Sequence, residues 1–429
     1  MGYIGIIRLQ GAGMRYPRTW GMGVIGAMML SASFVMAPIG HAAGDGITHG
    51  VADMTGQVQQ VPARPGHIAD LWFAHNELTI MLGAADRIAV TVDRPDTRPW
   101  MFLVAPALYH AIGVNGPAVN AESLLKAGVD VAFVPNGSAT AAALRAVGIP
   151  VLVAGFTDAA SLRRSLEMTA QVIGTRQAQE VTRAYETLLD GVIHDTRART
   201  DALAPDARPR VVHIQSLHPL RVDGAHTIID EWLSIAGARN AADGVDGNMK
   251  PISVEQLAAW NPDVIILGPD AGTFDPMADG GVWRNITAVR TGHVIHNPAG
   301  VFPWDRYGSE FPLQVAWAAQ VLHPDLFPAT DMVERTCAFY RTFFHYDLDV
   351  TQARRILAGL PPAGATKGGG APPVDPAYDG AFCRMAGVRR TCAMPPCFCL
   401  PWALRDCAGC DRTFCGDGHG RAGIAAGAI

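Results

Sequence analysis

The stretch AQEVTRAYETLLDGVIHDTRAR, residues 178–199, decides the reading of this chain. Val181, Tyr185, Leu188, Leu189, Val192 and Ile193 recur at spacings of three and four with charged residues between them. No Pro interrupts the run and Gly191 is its only Gly, so the spacing predicts one long amphipathic helix. Working outward, the same short pattern stands on either side: NAESLLKAGVDVAFV (residues 120–134) before it and SVEQLAAWNPDVIIL (residues 253–267) after it. In each, a capping residue (Asn120, Ser253) precedes a Glu (Glu122, Glu255) and a Leu, and an Asp (Asp130, Asp263) opens a β-branched run. This is the grammar of cap, short helix, turn and buried strand, occurring once on each side of the helix. The expected fold class is therefore α/β: two Rossmann-like lobes joined by a single long α-helix.

The rest of the chain extends this pattern. In the first lobe a strand is predicted over 67–71, a helix over 76–82 with Gly83 as its stop, a strand over 87–92, another at 150–153 and a helix over 161–174. The second lobe opens with a strand over 210–214 and a loop, followed by a helix over 228–236, a strand over 292–296, a closing helix over 311–322 and a last amphipathic piece ending near Leu360. Alternating strands and helices predict mainly parallel sheets covered on both faces. The expected organisation is a signal peptide (1–43), an N-terminal loop segment (44–66), an N-terminal lobe (67–174), the bridging helix (175–204), a C-terminal lobe (205–360) and a tail (361–429).

Composition narrows the function. A formal charge of −5 with scattered Lys and Arg gives no basic face, so nucleic acid is not expected as a partner. Arg15 and Arg18 precede an apolar run over 21–39, and Ala42 and Ala43 follow, as in a secretory signal peptide. The run also approaches the length of a membrane anchor. No Cys follows it, so the expectation is export to the periplasm without lipid attachment. Of eight Cys, only Cys337 precedes residue 380. The Cys-rich tail admits three readings: a frameshift or read-through product without a fold, a disulfide-rich appendage, or a zinc knuckle using Cys407, Cys410, Cys415 and His419.

Taken with the signal segment and the paired units, RPGHIADLWFAHNELTIMLGAADRIAVTV, WDRYGSEFPLQVAWAAQVLHPDLFP and FYRTFFHYDLDVTQARRIL make residues 60–360 resemble the periplasmic substrate-binding proteins of ABC importers, in the vitamin B12 and ferric-siderophore class. The resemblance implies a class III binding-protein fold and a ligand held between the lobes. It also implies no catalysis, no resident cofactor, and delivery of a metal chelate (ferric siderophore, haem or corrinoid) to an inner-membrane ABC permease with its ATPase. A monomer is expected. The alternatives are a metal-chelatase-like α/β enzyme, or a binding protein for a bare metal ion or an oxyanion. Against an enzyme stand the export signal and the absence of GxSxG, HExxH and a phosphate-binding Gly loop.

Ligands of open α/β sheets sit beyond the carboxyl ends of the strands. The candidates there are Trp72, His75, Asn76, Trp100, Tyr109 and Asn136 in the first lobe, and His218, Arg221, Asp270, Trp304, Arg306 and Tyr307 in the second. Aromatic faces can pack a flat chelate and Arg can hold carboxylate or catecholate oxygens bidentately. His218 and Tyr307 are the candidates to complete the coordination of a bound iron. The resemblance also implies one exposed carboxylate on each lobe for permease docking. Asp305 and Glu310 flank that position in the second lobe; in the first, NGSATAAAL has no carboxylate and leaves Glu122 or Glu77 as the substitute.

Overall fold

The computed structural model describes residues 47–115 and 119–365. The expected signal segment and nearly all of the tail lie outside the described residues. The chain enters through a hairpin, β1 (Thr48–Ala52) with β2 (Val58–Pro62), where a loop was expected. The turn between them is built by Asp53, whose Oδ1 accepts from Thr55 N (2.9 Å) and Gln57 N (3.1 Å), while Gly56 takes the left-handed conformation. Asp53 Oδ2 also accepts from Val153 N (3.2 Å), which ties this turn to the first lobe.

In that lobe β3 (Ile68–Asp70), α1 (His75–Met81), β4 (Ile88–Thr91), α2 (Pro99–Val104), β5 (Ile112–Gly113), α3 (Ala121–Lys126), β6 (Val131–Pro135), α4 (Thr140–Ala146), β7 (Val151–Ala154) and α5 (Ala159–Ile173) follow in order. The sheet order is β5-β4-β3-β6-β7, all parallel. The direction of winding reverses between β3 and β6, so a crevice opens beyond the carboxyl ends of these two strands. The crossing helix α6 (Arg176–Thr200) is capped by Thr175, whose hydroxyl accepts from Ala178 N (3.1 Å). Its buried stripe is Ala178, Thr182, Tyr185, Leu189, Val192, Thr196 and Thr200. The predicted Val181, Leu188 and Ile193 flank that stripe and are half-buried.

The second lobe comprises β8 (Arg210–Leu217), β9 (Leu220–Val222), α7 (Ile228–Ile235), β10 (Arg239–Asn240), β11 (Lys250–Pro251), α8 (Val254–Trp260), β12 (Val264–Leu267), α9 (Thr287–Arg290), β13 (Val294–His296) and α10 (Phe311–Leu322). Its sheet runs β11-β9-β8-β12-β13, with β10 also on β8. The segment expected as a loop after residue 214 is instead a continuation of β8 that folds back antiparallel as β9. The last amphipathic piece forms α11 (Met332–Phe339), which continues into a π-helical turn (Tyr340–Phe344), and α12 (Val350–Leu357), started by an Asp349 capping box.

The repeated unit has matching roles in both lobes. Asn120 and Ser253 cap α3 and α8, accepting from Glu122 N (2.9 Å) and Gln256 N (3.2 Å). Asp130 Oδ2 accepts from Gly66 N and His67 N (2.7 and 2.9 Å), and Asp263 Oδ2 from Arg210 N (2.8 Å). Each Asp thus fixes the start of the neighbouring central strand, β3 or β8, against its own, β6 or β12. One apolar core runs from Leu166 in the first lobe through Tyr185 and Leu189 of α6 to Phe311 and Trp317 in the second. A helix packed into both lobes couples their positions, because displacing either one opens voids along it.

Candidate functional site

The loops after β3, β7 and β13 bring three aromatic rings together across the lobes. Trp72 lies 5.3 Å from Phe156 and 5.6 Å from Tyr307, and Phe156 lies 5.8 Å from Tyr307, centroid to centroid. Trp72 and Phe156 come from the first lobe and Tyr307 from the second. These rings form one wall of a cavity of about 400 Å³. The remaining lining includes Met54 and Thr55 from the hairpin turn, Asn136 after β6, Gly155 and Thr157 after β7, and Arg164 on α5. Asn248 Nδ2 donates to the Tyr307 hydroxyl, and burial raises the Tyr307 pKa above its ordinary value.

Next to Tyr307, Arg306 belongs to a chain of charges. The buried His213 donates from Nδ1 to Asp223 Oδ2 (2.8 Å) and from Nε2 to Asp305 Oδ2 (3.0 Å). Burial alone lowers its pKa, but the hydrogen bonds and charges of the two carboxylates outweigh that and raise it to about 9. The ring is therefore an imidazolium at neutral pH. Gly268 makes room for this contact, since a Cβ there would stand 2.8 Å from Asp305 Oδ2. Arg306 Nε bonds Asp305 Oδ1 (3.4 Å), and the Gln215 amide oxygen, in the orientation that satisfies both groups, accepts from Arg306 Nη1 (2.8 Å). Burial favours the neutral acid at Asp305, yet the Arg306 charge and the His213 bond hold its pKa below the ordinary value.

The lobes also meet at buried and half-buried polar contacts. Ser309 Oγ donates to Glu77 Oε1, and Ala159 N at the start of α5 donates to Glu231 Oε2 (2.7 Å). Burial, then the nearby Glu310 charge, pushes Glu77 well above the ordinary carboxylate range. Glu310 accepts from Tyr340 OH (2.6 Å) and Phe302 N (3.0 Å), and burial nevertheless raises it to about 7.

Of the residues expected at the site, Trp72, Asn136 and Tyr307 line the cavity, and Arg306 and Asp270 belong to the adjoining charges. Others are placed elsewhere, for physical reasons. His75 is fully buried, held by Asp70 Oδ2 and Thr169 Oγ1 (both 2.8 Å), and Asn76 is buried against Asp70 O and Thr91. Trp100 is core, its indole N–H donating to Leu360 O (2.9 Å), and Tyr109 packs edge-on to Phe102. Trp304 is buried as well. Arg221 donates to Met249 O (2.8 Å), and His218 is exposed in the turn between β8 and β9, outside the cavity lining to which Tyr307 belongs. The second-lobe docking expectation is also corrected: Asp305 (0% exposed) and Glu310 (1%) cannot touch a partner's surface. In the first lobe Glu122 is exposed in the first turn of α3, whereas Glu77 is fully buried and cannot serve as a docking carboxylate. Sequence reasoning missed Phe156, Arg164, His213, Gln215 and Asn248. A His and a Gln inside the apolar run VVHIQ were the available signal, since a polar side chain in a buried strand needs a partner.

The described residues contain no cluster of three or more His, Cys, Asp or Glu able to hold a metal ion, and no helix long and apolar enough to cross a membrane. A family model described as periplasmic binding protein matches residues 77–300. This chain belongs to the periplasmic binding protein family, and its two lobes on one long helix have that family's class III arrangement. It is similar to the molybdate-binding protein MolA of Haemophilus influenzae, 26% identical over 274 residues, 56% of this chain and 73% of the relative. Among solved structures, a periplasmic solute-binding protein of Veillonella parvula matches with a TM-score of 0.63 and 24% identity, covering 72% of this chain and 97% of that one. The structure of MolA bound to molybdate, the cognate binding protein of an ABC transporter, matches with a TM-score of 0.63 and 21% identity, covering 70% and 99%. These relatives are binding proteins rather than enzymes.

Proposed function

We propose that this chain is the solute-binding component of an ABC importer and captures a metal chelate with anionic oxygens between its lobes. The observation that carries this is the aromatic wall of Trp72, Phe156 and Tyr307, contributed by both lobes to a cavity of about 400 Å³. That volume lies within the range of small-molecule sites, and the rings offer faces to a flat or bulky chelate. The metal arrives as part of the cargo and the chain holds no resident cofactor. The chain is exported through its N-terminal apolar segment without a lipid anchor, acts as a monomer, and delivers the ligand to an inner-membrane permease with its ATPase. Glu122 supplies the first-lobe docking carboxylate.

A second reading, capture of a small oxyanion, is favoured by the similarity to a molybdate-binding protein. The two are separated by Trp fluorescence of the purified full chain, titrated with ferric siderophores, haem, cobalamin and molybdate. Saturable quenching by one chelate at submicromolar concentration, weakened about tenfold in Trp72→Ala, is the expected result. A response to molybdate alone would replace the chelate by the oxyanion. Silence toward every probe from the folded protein would overturn both.

A further inference from the structure

Arg98, just before α2 in the first lobe, and Arg306, after β13 in the second, both reach Asp270 in the loop after β12. The distances to Asp270 Oδ2 are 3.3 Å from Arg98 Nη2 and 3.6 Å from Arg306 Nη2. The three partners are unequal. The arginine side chains are only 16% and 17% exposed, whereas Asp270 is 48% exposed. Both guanidiniums are aimed by other groups: Arg98 by Thr97 O (2.8 Å) and the Phe302 ring (5.0 Å), Arg306 by Asp305 and Gln215. Arg98 Nε is buried and has no hydrogen-bond partner. Among the described residues, the polar contacts of Asp270 are those with the two guanidiniums.

We propose that Arg98 and Arg306 form a two-lobed clamp for an anionic oxygen of the ligand, and that Asp270 occupies that clamp as an internal counter-ion until the ligand displaces it. This rests on the capture reading above and adds the ligand's charge requirement. Fixed, largely desolvated guanidiniums bind an oxyanion well because their orientation is set in advance. The exposed Asp270 recovers hydration when it swings out, so its departure costs little. A neutral chelate offers nothing to replace it and leaves Arg98 without a bonded anion, while Arg306 keeps only Asp305. The exchange therefore selects ligands bearing carboxylate, catecholate or inorganic oxyanion groups.

The test is calorimetric titration of the full chain with sodium molybdate, with sulfate as a second probe. Removing the internal competitor in Asp270→Asn should tighten molybdate binding about tenfold, or create binding where the wild type shows none. Adding Arg98→Gln or Arg306→Gln to Asp270→Asn should abolish that gain. Unchanged or weaker binding by Asp270→Asn, or a gain that survives loss of either arginine, overturns the clamp. Failure of the capture reading is separate: it is read from the chelate titrations of the wild type, which need no change at Asp270.

Discussion

Asp93 provides the sharpest test of the electrostatics behind the cleft. It follows β4 by two residues, is 1% exposed, and neither carboxylate oxygen has a hydrogen-bond partner. Burial raises its pKa from 3.8 to about 8, the Arg98 charge opposing this and the Asp70 charge adding to it. The folded pKa lies above the unfolded one, so between these values the folded chain keeps a proton that the unfolded chain releases. The stability that Asp93 contributes is accordingly fully present at pH below 3.8, falls as pH rises through the window, and levels off above about 8. At about 1.4 kcal/mol per pH unit, the full displacement bounds the loss at about 6 kcal/mol. Asp93→Asn has no proton to lose. Relative to the wild type it should therefore gain roughly 2–5 kcal/mol between pH 4 and pH 8, whatever its offset at pH 4. Urea unfolding at pH 4, 6 and 8, followed by Trp fluorescence, measures this difference, and the titration of Glu310 cancels because both proteins carry it. A difference between variant and wild type that stays constant with pH to within about 1 kcal/mol would refute the reasoning.

Two more outcomes follow from the second lobe. The stability that His213 contributes is fully present below pH 6.5 and is lost as pH rises through about 9. Asp305→Asn removes one of the two carboxylates responsible, so the His213 ring, followed by NMR, should titrate at lower pH, with about 3 kcal/mol lost at pH 7; an unmoved titration would contradict the assigned bridge. Gly300→Ala places a Cβ against the Glu310 carboxylate and the Tyr340 hydroxyl. Their buried hydrogen bond must then open, and thermal unfolding should register a loss of roughly 2–4 kcal/mol. A neutral substitution would show that this pair is not held by close packing.

The bridging helix and the two repeated units were legible because their signals are local. A stripe of apolar residues, a capping Asn or Ser and an Asp ahead of a β-branched run act within a few residues of chain, and α3, β6, α8 and β12 formed where those signals stood. The hairpin over 48–62 was not legible, since its short exposed strands alternate weakly and its turn is fixed by a side chain that also bonds Val153. At the site the difference is sharper. Trp72 and Trp100 were both expected at the site, yet one walls the cavity and the other donates to Leu360, 260 residues away.

Asp305 and Glu310 read as surface charges because a carboxylate is ordinarily hydrated. Only the folded chain supplies the imidazolium of His213 and the hydroxyl of Tyr340 that let them be buried. The α/β class, the long helix and the lobe grammar could be read along the chain, because all of them depend on periodicity and caps. Which aromatics face the ligand, which acids are buried, and how Arg98, Asp270 and Arg306 meet were decided by tertiary structure. Desolvation and partner geometry depend on groups far apart along the chain, and no local pattern encodes the distance between them.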